Sequence, residues 1–175
     1  MVDDHTVTRA GVVALLASEP GIAIVGEAGN GREAVELVQT LAPDLALIDL
    51  RMPVLDGVAA TAELVAGTTS TRVLILTTYD TDVEIERAVE AGAIGYLLKD
   101  TTREQLVDAI RSAARGETVL APKVAERLVA RMRRPAPVAL TGRELDVSDR
   151  THAVVVALER GLLVRPDRGP NARRQ

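Results

Sequence analysis

From Ile22 to Leu98, short runs of β-forming residues alternate with amphipathic stretches of helical period. That alternation restricts the chain to an α/β fold, a parallel sheet with helices on both faces. The strand candidates are Ile22–Glu27, Leu45–Leu50, Arg72–Thr77 and Gly95–Leu98. Between them Ala34, Leu37, Val38 and Leu41 recur at helical spacing, as do Ile85, Ala88 and Val89 ahead of Gly92. Two helix starts carry a Thr followed three residues later by Glu, at Thr81/Glu84 and Thr101/Glu104, the signature of a capping box. The helix opening near Thr102 carries Leu106, Ala109, Ile110 and Ala113 on one side and ends around Gly116.

Charge divides the chain near Glu117. Residues 1–117 hold 9 Lys/Arg against 19 Asp/Glu, a net −10, whereas residues 118–175 hold 12 against 6, a net +6. The acidic part suits a cation site; the basic part suits a polyanion or is a solvated tail. Past the boundary a short helix from about Lys123 to Arg133 leads to Arg134–Val138, where prolines at 135 and 137 favour an extended linker. Thr141 and Glu144 form another capping box, yet only Leu145 to Val147 follow before Ser148 and Asp149 offer a fresh start for a helix from Thr151 to Arg160. The Arg-, Pro- and Gly-rich residues 165–175 have little to bury and are expected to be disordered. The expected organisation is a main domain over 1–117, a helix and linker over 118–139, a short helical remnant over 140–164 and a basic tail over 165–175. No cysteine is present, so neither disulfides nor thiolate metal sites contribute. The longest apolar runs, such as Ile22–Val25 and Ala153–Leu158, are too short for a membrane span, and the first residues do not read as a signal peptide. A cytoplasmic, soluble protein with no membrane partner is the expectation.

In open parallel sheets ligands sit at the carboxyl ends of strands. Asp3 and Asp4 follow the first strand position, Asp49 and Thr77 end apolar runs, and Lys99 follows Tyr96 to Leu98. Singly, each has an ordinary structural role as a cap, a strand former or a surface lysine. Together, three carboxylates at one edge repel one another unless a cation is present. Mg²⁺ suits such a site, since it favours a few carboxylates plus water and phosphate oxygens. A carboxylate can attack phosphorus once the charge on the transferring group is neutralised. Central Asp49 is the candidate nucleophile, Asp3 and Asp4 the metal ligands, Lys99 and Thr77 the groups that hold phosphoryl oxygens.

Val2–His5 (VDDH), Asp49–Gly57 (DLRMPVLDG), Leu76–Tyr79 (LTTY) and Gly95–Asp100 (GYLLKD) resemble the receiver domain of two-component response regulators. The resemblance covers most of residues 1–117. It implies a flavodoxin-like, doubly wound sheet of five parallel strands, phosphorylation of Asp49 by a sensor histidine kinase, a metal contact from the Arg51 backbone carbonyl, and switch roles for Thr77 and Tyr96. Leu140–Leu145 and Ser148–Leu163 resemble the two ends of a LuxR-type helix-turn-helix domain, as in NarL/FixJ regulators. The helices that would lie between them are missing, since Val147 runs directly into Ser148, so no DNA-binding residues are assigned. Family members also carry several apolar residues before the acidic pair, where this chain has Met1 and Val2, so the first strand is truncated.

The expected function is thus a phosphoacceptor regulator, not an enzyme. In the intact family it would act on transcription through DNA, with a homodimer as one assembly. The alternative is a receiver working through protein contacts alone. An aspartate-nucleophile phosphatase would carry a second Asp where Arg51 stands, and Gly26, Gly29 and Gly31 lack the dinucleotide-loop spacing. A regulator keeps a stable acyl phosphate where a phosphatase turns over.

Overall fold

The computed structural model describes residues 1–67, 70–78, 81–120 and 124–126. Along the chain come α1 (Thr6–Ala17), α2 (Gly31–Leu41), β1 (Leu45–Ile48), α3 (Gly57–Ala66), β2 (Arg72–Thr77), α4 (Asp82–Glu90), β3 (Gly95–Leu98), α5 (Arg103–Ala114) and β4 (Val119–Leu120). The four strands form one parallel sheet in the order β1-β2-β3-β4.

Beyond β1 the sheet continues as isolated bridges. Val2 makes single parallel bridges to Ile48 on one side and to Ala28 on the other, which gives the flavodoxin-like order of second, first, third, fourth and fifth positions. The expected strand at Ile22–Glu27 does not join a ladder. Its residues still alternate between half-buried and exposed, as a strand would, and among the described residues its backbone is met at one end, by Met1 at Gly26. Met1 closes this region through its ammonium, which donates to the Gly26 carbonyl at 2.9 Å. Burial pulls the pKa of that ammonium below its ordinary value, against the raising pull of Glu27. At the far edge β4 is an addition to the expected strands; it pairs Val119 with Gly95 and Leu120 with Tyr96.

The sheet separates two apolar layers because successive strand residues face opposite ways. Ala46, Ile48, Val73, Ile75 and Tyr96 pack with α2, α3 and α4, whereas Leu47, Leu74, Leu76 and Leu97 pack with α5 and Leu16 of α1. Helix starts are set locally. Asn30, Asp56 and Thr81 each accept the backbone N–H three residues on. For α5 the cap is Thr102, whose capping box with Gln105 has both bonds, so the start lies one residue beyond the expected Thr101/Glu104 pair. Among the described residues no helix is long and apolar enough to cross a membrane. The expected helix from Lys123 to Arg133, the linker, the remnant over 140–164 and the tail over 165–175 fall wholly or mostly outside the described residues.

Candidate functional site

The carboxyl edge of the sheet gathers the acidic residues from two ends of the fold. Val2 donates its N–H to the Leu47 carbonyl and accepts from Asp49 N–H, and this places Asp3 beside Asp49. Asp3 is fully buried and Asp49 nearly so, while Asp4 keeps 29% of its side chain exposed. One ligand atom from each of Asp3, Asp4, His5 and Asp49 falls within 4.8 Å of the others. His5 was not singled out from the sequence; it stands at the N-cap position of α1, with Nδ1 2.9 Å from Asp4 Oδ1 and its backbone N–H donating to Asp3 Oδ1.

Lys99 reaches this cluster from the end of β3. Its Nζ lies 2.8 Å from Asp3 Oδ2 and 2.9 Å from Asp49 Oδ2. Burial alone would lower the lysine's pKa, but the Asp3 and Asp49 carboxylates beside it outweigh that and hold the pKa above the ordinary value. Asp49 Oδ1 is tied separately, by the N–H of Leu50 at 2.8 Å. Asp3 Oδ2, fully buried, has the lysine charge beside it but no aligned hydrogen-bond donor. A hard cation with oxygen ligands would satisfy that lone pair, so the donor set fits Mg²⁺.

The other expected residues lie around this centre. Thr77 is buried at the end of β2, and its carbonyl accepts the Lys99 N–H at 2.8 Å, which fixes the two strand ends together. Tyr96 is buried opposite Ile75, within the layer formed by α2, α3 and α4. Arg51 sends its guanidinium to Glu84 Oε1 in the first turn of α4, at 2.7 Å. Glu84 also takes a hydrogen bond from the Thr81 hydroxyl at 2.9 Å, so one side chain joins the cap of α4 to the segment after Asp49.

That segment is tightly folded. Gly57 N–H donates to the Leu50 carbonyl at 2.7 Å, and a Cβ on Gly57 would collide with the Asp49 carbonyl. Within it, Leu55 N–H bonds back to the Pro53 carbonyl and Val54 adopts φ +70°, a three-residue turn that a β-branched residue enters at a cost. The sequence motif marks Asp49 as a candidate acceptor, but neither the glycine's close approach nor the strained valine can be read from residue type.

Known proteins resemble this chain in sequence and fold. The response regulator receiver domain family matches residues 1–111. The transcriptional regulatory protein LiaR of Bacillus subtilis is 38% identical over 152 residues, 84% of this chain and 72% of LiaR. The response regulator protein VraR of Staphylococcus aureus is 38% identical over 148 residues, 83% of this chain and 71% of VraR. Among solved structures, the receiver domain of the putative response regulator NarL from Mycobacterium tuberculosis has 40% identity and TM-score 0.65, covering 66% of this chain and 94% of that one. A LuxR-family response regulator from Aurantimonas sp. SI85-9A1 has 32% identity and TM-score 0.72, covering 76% and 95%. These relatives are named as regulators, and the solved ones share the fold of this chain. The chain therefore belongs to the two-component response regulators, in their NarL/FixJ branch.

Proposed function

We propose that Asp49 accepts a phosphoryl group from a sensor histidine kinase. The observation that carries this is the Lys99 ammonium 2.9 Å from Asp49 Oδ2 at the edge where Asp3 and Asp4 also converge. Leu50 N–H holds Oδ1, which leaves Oδ2 as the oxygen placed to attack. The new P–O bond forms as the P–N bond of the kinase phosphohistidine breaks, and the departing imidazole nitrogen keeps the electron pair and takes a proton. Asp3, Asp4, Asp49 and the Arg51 carbonyl would hold Mg²⁺, which supplies charge neutralisation for the incoming group when bound. Lys99 then exchanges a carboxylate partner for phosphoryl oxygens, and the Thr77 hydroxyl donates to another of them. Thr77 and Tyr96 pass the change to the surface near α4 and β3. The setting is cytoplasmic.

Residues 140–164 lack the stretch that would carry a recognition helix, so a second reading has the receiver act through protein contacts, a homodimer among them, rather than on DNA. The acceptor is tested with acetyl phosphate and Mg²⁺ followed by intact-mass spectrometry. The protein should gain one phosphoryl group, and Asp49→Asn, which keeps the shape but loses the nucleophile, should gain none. Label retained on that variant overturns the assignment.

A further inference from the structure

His5 stands at the N-cap position of α1, where a side-chain oxygen would ordinarily accept an N–H of the first helical turn. Its imidazole makes no such bond. The residue is tied to the acidic edge instead. Its backbone N–H donates to Asp3 Oδ1 at 2.9 Å, and its Nδ1 lies 2.9 Å from Asp4 Oδ1 and 3.6 Å from Asp3 Oδ1. The side chain is 71% exposed against 29% for Asp4, with Asp3 and Asp49 buried beneath, so the ring is the outermost member of the cluster.

These spacings suit ligands around one ion. Six ligands at about 2.1 Å from a centre stand about 3.0 Å apart when adjacent and about 4.2 Å apart when opposite. The Asp4 contact of Nδ1 matches the first separation and the Asp3 contact falls between the two. One ligand atom from each of Asp3, Asp4, His5 and Asp49 lies within 4.8 Å of the others. A hydrogen bond alone accounts for the Asp4 contact. It does not account for the fully buried Asp3 Oδ2, which has no aligned donor, nor for three carboxylates of which the Lys99 ammonium offsets the charge of one.

A nitrogen donor changes which cation such an edge prefers. Mg²⁺ is hard and gains little on exchanging water for imidazole, whereas first-row transition ions bind imidazole well. We infer that His5 is a nitrogen ligand of the cation site at Asp3, Asp4 and Asp49, and that through it the site takes a divalent first-row transition ion in preference to Mg²⁺. The inference rests on the reading of this edge as a cation site. Without an ion Asp4 can only accept, so Nδ1 carries the proton; on binding, the proton of the neutral ring resides on Nε2 and the Nδ1 lone pair meets the ion. The remaining positions stay open to water or a phosphoryl oxygen.

The probes are Mn²⁺ and Mg²⁺ alone, added to the full chain at neutral pH, with bound Mn²⁺ read by electron paramagnetic resonance and Mg²⁺ by competition. Pulsed spectra of bound Mn²⁺ should show the nitrogen coupling of a directly ligated imidazole. His5→Ala abolishes that coupling, whereas His152→Ala, the change at the only other histidine, keeps it. His5→Ala should weaken Mn²⁺ binding by at least about tenfold and Mg²⁺ binding by less than about twofold. His5→Asn should lose Mn²⁺ affinity likewise although asparagine is a good helix cap, which separates ligation from a role in starting α1. Absence of the coupling, its survival in His5→Ala, or an equal loss of both ions in that variant overturns the inference. A parent chain that binds neither ion overturns the cation reading of the edge as well; one that binds both without the coupling overturns the His5 ligand alone.

Discussion

Lys99 Nζ stands 2.8 Å from Asp3 Oδ2, so a residue from the end of β3 neutralises a carboxylate from the head of the chain. The same ammonium contacts Asp49, and its removal leaves two buried carboxylates facing each other. Breaking a buried ion pair from one side costs about 3 kcal/mol or more. Lys99→Met should therefore lower unfolding stability by roughly that amount in urea, and millimolar Mg²⁺ should restore part of it. A variant as stable as the parent without Mg²⁺ would show that the lysine does not neutralise the site.

The pH dependence follows from the same contact. The folded pKa of Lys99 lies above its ordinary 10.5, so the native state keeps this proton longer than the unfolded chain does. The stabilisation is fully present below the unfolded pKa and is lost as pH rises through the folded one. Melting temperature should fall above about pH 10.5, and Lys99→Met should flatten that fall. An identical alkaline profile in the variant would assign the fall to other groups.

Val54 offers a gain in stability. Its φ of +70° is a conformation that asparagine and glycine enter more readily than a β-branched residue, and its side chain is exposed, so little packing is lost on replacement. Val54→Asn should raise stability by about 0.5–1 kcal/mol, read as a shift in the urea midpoint at constant slope. A drop would mean that the valine side chain makes a contact worth more than the strain.

An apolar pentapeptide fused before Met1 should raise the melting temperature by about 3–8 °C, since it supplies partners for the edges of β1 and residues 22–26. Scanning calorimetry of the two chains decides this, and equal melting temperatures would show that the open edges are tolerated.

Binding to DNA should be weak and unspecific. Direct readout needs an element in the major groove and a second on the backbone, whereas residues 140–164 supply too short a sequence for both. Arg165, Arg168, Arg173 and Arg174 read phosphate charge only, so binding of the phosphorylated protein to a genomic fragment library should disappear with modest salt. Enrichment of one palindromic site at physiological salt would contradict this.

The sequence makes the acidic edge legible because its residues sit in short motifs at strand ends, and Asp3, Asp4, Asp49 and Lys99 do converge. What separates Asp3 from Asp4 is burial, which two adjacent identical residues cannot reveal. The Arg51–Glu84 pair joins positions 33 residues apart, and only the packing of α4 against the sheet brings them together. Residues 22–27 carry the alternation of a strand, but pairing depends on a neighbour, which local pattern does not report. Thr101 and Thr102 begin two overlapping capping boxes, and the backbone turn at residues 98–101 selects the second. β4 escapes notice because two residues are too few to show a period.

The bond from Gly57 N–H to the Leu50 carbonyl closes the segment after Asp49 into a short, stiff hoop, anchored at one end by β1 and at the other by α3. On the proposed reading, a charge added to Asp49 meets an anvil rather than a spring. The proposed phosphorylation should then displace the opposite wall, where Thr77 and Lys99 are held by one backbone bond and α4 is reached through Arg51 and Glu84.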